Sequence, residues 1–316
     1  MIPAQLTLIN STHWRNQGCD DSSICLHIIY VNELWPPPPR LVKRTGIHCE
    51  LLCCECDPPM RVVTYNINGV GARLPGLTRF LAEYSPDVVC LQELKAPQEN
   101  FPEAEIRGAG YGVVWHGQKS WNGVAILARG IEPKEVRRTL PGDPQDVHSR
   151  YIEATVHDIT IGCLYLPNGN PAPGPKFDYK LKWLDRLIEY AAQLANRDSA
   201  VVLAGDYNVI PTERDVYKPE RWVNDALFRT EVREEFSRLL SQGWTDAIRK
   251  RYPRETIYTF WDFFRNAYQR DAGLRIDHLL LNPAVVDRMT DAGVYRDVRG
   301  WERPSDHAPV WVDLRD

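Results

Sequence analysis

Nine short apolar runs constrain this chain more than any other feature. They span 61–67, 87–91, 111–115, 124–128, 151–156, 159–166, 200–203, 276–281 and 308–314, each rich in Val, Ile or Leu and bounded by Gly, Pro, Asn or Asp. Runs of that length with that punctuation predict strands. Helical spacing is clear only over 177–195, where Leu181, Leu184, Leu187, Ile188, Ala191 and Leu194 form one apolar stripe, and weaker over 77–84 and 231–240. Strands in excess of helices, often separated by a few residues, predict an α/β sandwich: two mostly antiparallel sheets face to face with helices outside. An apolar content of 43% supplies such a core, and no run approaches the roughly 18 apolar residues of a membrane-spanning helix. Net charge is −4, so any nucleic-acid partner has to be held by local cations and metal rather than by bulk basicity.

The cysteines divide the chain. Cys19, Cys25, Cys49, Cys53, Cys54 and Cys56 precede Met60, and only Cys90 and Cys163 follow it, each inside a strand-like run, as suits a reducing cytosol. Residues 1–59 contain the run Pro36–Pro39, no sustained periodicity, and neither the basic start nor the cleavage site of a secretory signal. Cys49, Cys53, Cys54 and Cys56 fit the paired spacing of a zinc site poorly, which leaves metal binding open beside a disordered or dispensable extension. Strand-like sequence starts abruptly at Met60, so we expect a functional protein beginning there and a single domain over 60–316.

Polar residues cluster where strands end. Asn66 closes the first run, Glu93 the second, and Asp206 and Asn208 follow the run 200–203; Asp277 opens another, and Asp306 and His307 precede the last. An Asp or Asn beside a strand is usually a turn former. Five such ends in a sandwich, gathered on one edge, are another matter. Converging carboxylates repel unless a cation offsets them, and Asp, Glu and Asn oxygens suit Mg²⁺. That chemistry suits attack of water on a phosphate ester.

The segments Tyr65-Asn66-Ile67-Asn68-Gly69, Leu91-Gln92-Glu93, His116-Gly117-Gln118-Lys119, Gly205-Asp206-Tyr207-Asn208, Thr259-Phe260-Trp261-Asp262, Arg275-Ile276-Asp277 and Ser305-Asp306-His307 resemble, in this order, the exonuclease III / AP endonuclease branch of the endonuclease/exonuclease/phosphatase superfamily. The resemblance implies a four-layer α/β sandwich and a DNA-repair hydrolase dependent on Mg²⁺, with Mn²⁺ able to substitute. Such an enzyme removes nucleotides from 3′ ends of duplex DNA and cuts beside abasic sites. It implies Glu93, Asn66 and Asp306 as metal ligands, with Asp206 activating water or serving a second metal position beside Asn208. It further implies His307 on the scissile phosphate held by Asp277, Tyr165 near the phosphate, and Asn168 as a phosphate donor. Phe260, Trp261, Leu274 and Ile276 would wall a pocket for a base-free sugar, with core filling as the alternative for the aromatic residues. Lys119, Arg150, Lys176, Lys180, Arg265 and the cluster 249–251 are possible backbone contacts, although a charge run is commonly a solvated face.

The alternatives are the same fold acting on RNA, an inositol phosphate or a lipid headgroup, and a catalytically inactive DNA-binding protein. The retained acids oppose the second, because carboxylates that are costly to hold together have no reason to persist in an inactive chain. The expected partner is duplex DNA with 3′ ends or abasic sites, with no membrane and no protein partner, for a monomer in the cytoplasm (at the nucleoid in a bacterium).

Overall fold

The computed structural model describes residues 58–315; the leader cysteines and the expectations attached to them lie outside these residues. Strands β1 (Met60–Asn66), β2 (Val88–Gln92), β3 (Tyr111–His116) and β4 (Val124–Arg129) join one sheet. Strands β5 (Lys134–Arg137), β6 (Tyr151–Val156), β7 (Ile159–Tyr165), β8 (Val201–Asp206), β9 (Thr245–Asp246) and β10 (Asp277–Leu281) form the other. The first sheet is completed by β11 (Met289–Val294) and β12 (Val310–Leu314). Their orders are β11-β12-β1-β2-β4-β3 and β5-β6-β7-β8-β10-β9. Only β1/β2 and β7/β8 run parallel among these neighbours, each joined by a helical crossover: α1 (Val70–Tyr84) and α3 (Pro175–Ala195).

Alternation along the strands decides what meets what. In β1, Val62 faces the opposite sheet while Val63 and Tyr65 face α1; in β8, Val202 and Ala204 face inward while Val201 and Leu203 face α3. Ile152, Ile161, Cys163, Leu279, Val310 and Val312 complete the layer between the sheets, with Cys90 from β2. On the outside, α3 and α4 (Thr230–Leu240) cover the second sheet with Trp183, Leu184, Leu187, Phe236 and Leu239, and α1 and the short α2 (Glu103–Gly108) cover the first with Leu77, Phe80, Leu81 and Ile106. The result is the four-layer sandwich expected from the sequence.

Counting by two from these inward residues carries the same face to the strand ends. Asn66 continues Val62-Thr64, Tyr165 continues Ile161-Cys163, Asp206 continues Val202-Ala204, and Asp277 leads into Leu279-Leu281. Asp206 pairs across the ladder with Asp277, and Tyr165 with Asp206. Polar groups on the inward face therefore converge at one end of the sandwich.

The departures have simple causes. Strand β5 is exposed along its whole length and highly charged, so it carries no apolar signal; it is an edge strand guarded by Lys and Arg. Strand β11 is likewise an edge, and β9 has two residues. The expected helix over 77–84 begins earlier, at Val70, because Gly69 turns with φ 99° and hands its N–H to Glu93 O at 2.7 Å while Val70 N donates to Leu94 O at 3.0 Å. Pro75 sits inside that helix. The cluster 249–251 is the last turn of α5 (Ala247–Arg251); Arg249 pairs with Asp215 at 2.6 Å and Arg251 with Asp291 at 2.6 Å, so these two guanidinium groups are engaged within the protein.

Candidate active site

The amide of Asn66 ties the two sheets together at the open end. Its Nδ2 donates to Glu93 Oε1 at 3.0 Å, on the first sheet, and to Asp206 Oδ2 at 2.9 Å, on the second. Glu93 Oε1 also accepts from the Tyr165 hydroxyl at 2.8 Å. Burial favours the neutral acid at Glu93, but Lys95, 2.8 Å from Oε2, and Asn66 outweigh it and hold the carboxyl below its ordinary value. Burial raises the Tyr165 phenol well above its usual range, with Glu93 and Asp206 adding to the rise, so it stays a donor.

Lys95 and Asn68 extend the cluster to Asp306. Lys95 Nζ donates to Asn68 Oδ1 at 2.6 Å, and Asn68 Nδ2 donates to Asp306 Oδ1 at 2.9 Å. Ser305 Oγ donates to Asn66 O at 2.7 Å and fixes the segment before β12 against the end of β1. Glu93, Lys95, Asn68 and Asp306 are thus joined in one network of polar contacts, with the Asn66 amide against Glu93; the side-chain oxygens of this network come from carboxylates and amides, and the Lys95 ammonium shows that it accepts positive charge. An all-oxygen set fits a hard divalent cation.

Deeper in the same mouth, Asp206, Asp277 and His307 approach within 4.8 Å of one another. His307 Nδ1 lies 2.9 Å from Asp277 Oδ2, which also accepts from Thr259 Oγ1 at 2.6 Å, and His307 Nε2 lies 3.8 Å from Asp206 Oδ2. Burial opposes the imidazolium, yet Asp277, Asp206 and Asp306 outweigh it and raise the group to about 10. Burial pushes the Asp206 carboxyl up to about 7, Asp277 and Glu93 reinforcing the shift and His307 opposing it. The two neighbours therefore differ at neutral pH: a cationic donor faces a carboxyl poised to gain or lose a proton.

Asn208 sits one residue past Tyr207 with φ 49°; its N–H donates to Asp206 Oδ1 at 2.9 Å and its Nδ2 to Leu166 O at 2.9 Å. Asn168, exposed, donates through Nδ2 to Asn208 Oδ1 at 3.2 Å. The expected metal and catalytic residues are thereby all brought to one mouth. Asn68 and Lys95 belong there too without having been singled out, though both lie two residues from a chosen site residue.

The expected DNA contacts separate. Phe260 packs edge-on to His307, ring centroids 5.0 Å apart, and pairs by backbone hydrogen bonds with Leu274. Leu274 lines a cavity of about 690 Å³ with Lys218, Arg221, Trp222, Phe264, Arg265 and Arg270. Trp261 lies beneath this surface, 1% exposed, packed on Ala267 and Ala308 with Nε1 donating to Asp271. Arg150 backs Tyr165, its guanidinium 4.8 Å from the ring and Nη1 donating to Tyr165 O at 3.2 Å. Lys119 is exposed, as is Lys176. Lys180 is fully buried, so it does not contact a backbone phosphate from the surface.

Comparison with known proteins adds an independent line. The sequence profile of the Endonuclease/Exonuclease/phosphatase family matches residues 63–307. The exodeoxyribonuclease III of Haemophilus influenzae is 34% identical over 268 residues, spanning 81% of this chain and 100% of that protein. A 3′–5′ exonuclease of Neisseria meningitidis superposes with a TM-score of 0.79 at 39% identity, covering 81% of this chain and 100% of that one. An AP endonuclease of Archaeoglobus fulgidus gives 0.78 at 36% identity over 81% and 99%.

Proposed function

The chain belongs to the Endonuclease/Exonuclease/phosphatase family, in its exonuclease III and AP endonuclease branch, and from that premise we propose a DNA-repair phosphodiesterase that needs Mg²⁺, or Mn²⁺ in its place. It removes nucleotides from 3′ ends of duplex DNA and cuts beside abasic sites. The observation that carries this reading is the Asn66 amide shared between Glu93 and Asp206, which joins a cation locus to a proton-accepting carboxylate within one mouth.

Glu93, Asn66 and Asp306 are the side chains to hold the cation, beside Asn68. When bound, it neutralises phosphate charge and polarises the P–O bond. Asp206, held by Asn66 and Asn208, takes the proton of the attacking water; burial lifts its carboxyl and so strengthens it as a base, while a cation at the neighbouring locus would act in the opposite direction and keep it ionised. Asn208 orients that carboxylate through its own N–H and amide. His307, kept cationic by Asp277, donates to a phosphate oxygen as negative charge grows in the transition state. Tyr165 and Asn168 supply further donors at the rim. Phe260, Leu274 and Ile276 bound the space for a sugar without its base, and Lys218, Arg221, Arg265 and Arg270 beside them supply the local cations that the net charge of −4 does not.

The test uses duplexes bearing an abasic site or a recessed 3′ end, assayed by gel with and without chelator beside inositol phosphate and sphingomyelin. Chelator-sensitive cleavage of both duplexes is expected. Turnover of the small phosphoesters alone, or DNA cleavage indifferent to chelator, would overturn the reading.

A further inference from the structure

Helix α3 buries a stripe at three- and four-residue spacing: Phe177, Lys180, Leu184, Leu187 and Ala191. A lysine occupies a core position in that stripe, with no solvent exposure. Burying an ammonium group is costly unless it is hydrogen-bonded. Among the described residues no carboxylate lies within ion-pair distance of it. Its Nζ donates instead to two backbone carbonyls, Asn168 O at 3.0 Å and Asn208 O at 2.5 Å. These belong to the two loops that carry the amides at the mouth of the site.

Both loops need holding. Asn208 has φ 49°, a left-handed conformation that asparagine tolerates more readily than other L-residues, so the direction of its amide is fixed by the hydrogen bonds around it rather than by its backbone preference. Gly169, with φ 89°, lies so close to the lysine stem that an added Cβ would come 2.6 Å from Lys180 Cδ. The far side of the first loop is clamped by Asn170, which donates to Asp225 Oδ1 at 3.0 Å and accepts from Ala226 N at 3.0 Å. Asn208 Nδ2 reaches Leu166 O, and Asn168 Nδ2 reaches Asn208 Oδ1, so the loops are stitched above while Lys180 joins them below.

We infer that Lys180 is a positioning residue of the hydrolytic site: from inside the core it fixes the backbones of Asn168 and Asn208 relative to each other, and so aims their amides at the phosphate and at Asp206. The inference rests on the DNA-hydrolase reading above. Lys180→Met keeps the stem and removes the donor, which separates aiming from packing.

The experiment measures kcat and KM on an abasic-site duplex, with thermal unfolding of the same samples. Lys180→Met should fold with a midpoint lowered by a few degrees, because two carbonyls lose their donor, and at temperatures where it is fully folded should lose about 10- to 100-fold in kcat, as removal of supporting hydrogen bonds around a site commonly does, while keeping KM within about threefold. A purely structural lysine would lower the midpoint in the same way but spare the rate of the folded protein. If Lys180→Met does not fold, Lys180→Gln is measured under the same criterion. Combined with Asn208→Ala, the losses should be clearly less than multiplicative, because one residue acts through the other. A folded variant with unchanged kcat, or fully multiplicative losses, overturns the inference. An unmodified chain that cleaves no DNA would instead sink the function on which it rests.

Discussion

Replacing Arg275 with methionine exposes the structural foundation of the catalytic mouth. Arg275 is 1% exposed; its Nε lies 2.6 Å from Asp215 Oδ1 and its Nη1 lies 2.6 Å from Asp246 Oδ2, with His278 Nδ1 3.0 Å away. Asp215 keeps Arg249 and Thr212 after the change, whereas Asp246 keeps only His278 and the Arg249 N–H. Stripping one partner from a buried pair costs about 3–5 kcal/mol, since the other charge stays behind. For a domain of this size each kcal/mol moves the unfolding midpoint by roughly 2–4 °C, so a fall of about 6–20 °C is expected. The pH dependence gives the sign. Burial alone would raise both carboxyls, but Arg275 outweighs it and depresses them, so their contribution is present above the ordinary carboxylate range and is lost only below about pH 4. In the variant, burial of Asp246 is opposed only by His278 and the Arg249 N–H, so its pKa rises, and on acidification protonation of the carboxyl or of His278 relieves the unpaired charge. That penalty is largest at neutral pH and shrinks on acidification. Scanning calorimetry of both proteins at pH 7.5 and pH 5 should show a gap that narrows at the lower pH. A midpoint shift under about 2 °C, or a gap that widens at pH 5, would refute the reasoning.

Three further outcomes concern chemistry. Asp206→Asn should lower kcat by about 10²–10⁴-fold with duplex affinity little changed, as removal of a general base does; lost affinity with an intact rate on bound DNA would contradict its role. Glu93→Ala should weaken Mg²⁺ binding, read by calorimetric titration, with activity partly restored by excess Mn²⁺; an unchanged dissociation constant would remove Glu93 from the cation locus. Asp277→Asn removes the main partner that holds His307 at about 10 against burial, so the imidazole loses its proton at lower pH and the alkaline limb of kcat/KM moves down by more than about one unit. Proton NMR of the imidazole at pH 8 should find it cationic in the unmodified protein and neutral in the variant.

Much of this was legible because strand ends announce themselves. The runs ending at Asn66, Glu93 and Asp206 are punctuated, apolar and of strand length, and alternation by two from Val62 or Val202 predicts which polar group turns inward. Not every edge strand gave that signal: 134–137 carries a charge at three of its four positions and, being exposed throughout, has no pattern to display, whereas the edge run 111–115 was legible because it packs apolar side chains inward. Lys180 was open to discovery as a cation on an apolar stripe, yet charge suggested a surface role that burial excludes. Arg249 and Arg251 looked like phosphate contacts because their carboxylate partners, Asp215 and Asp291, lie 34 and 40 residues away in sequence. Trp261 shows the converse limit: composition cannot say which side of a wall an aromatic residue occupies.

The layer of side chains between the sheets also works as a spacer. Asn66 and Glu93 ride on one sheet, Tyr165, Asp206 and Asp277 on the other, and only short hydrogen bonds span the mouth. The gauge of that gap is set by residues such as Val62, Cys90, Ile161 and Leu279, none of which meets a nucleotide. A methylene added or lost in that dry filling is transmitted along stiff strands to their tips, much as the pivot of a pair of tongs governs the grip. Substitutions remote from the mouth and conservative in chemistry can therefore tune turnover while leaving every polar side chain of the centre in place.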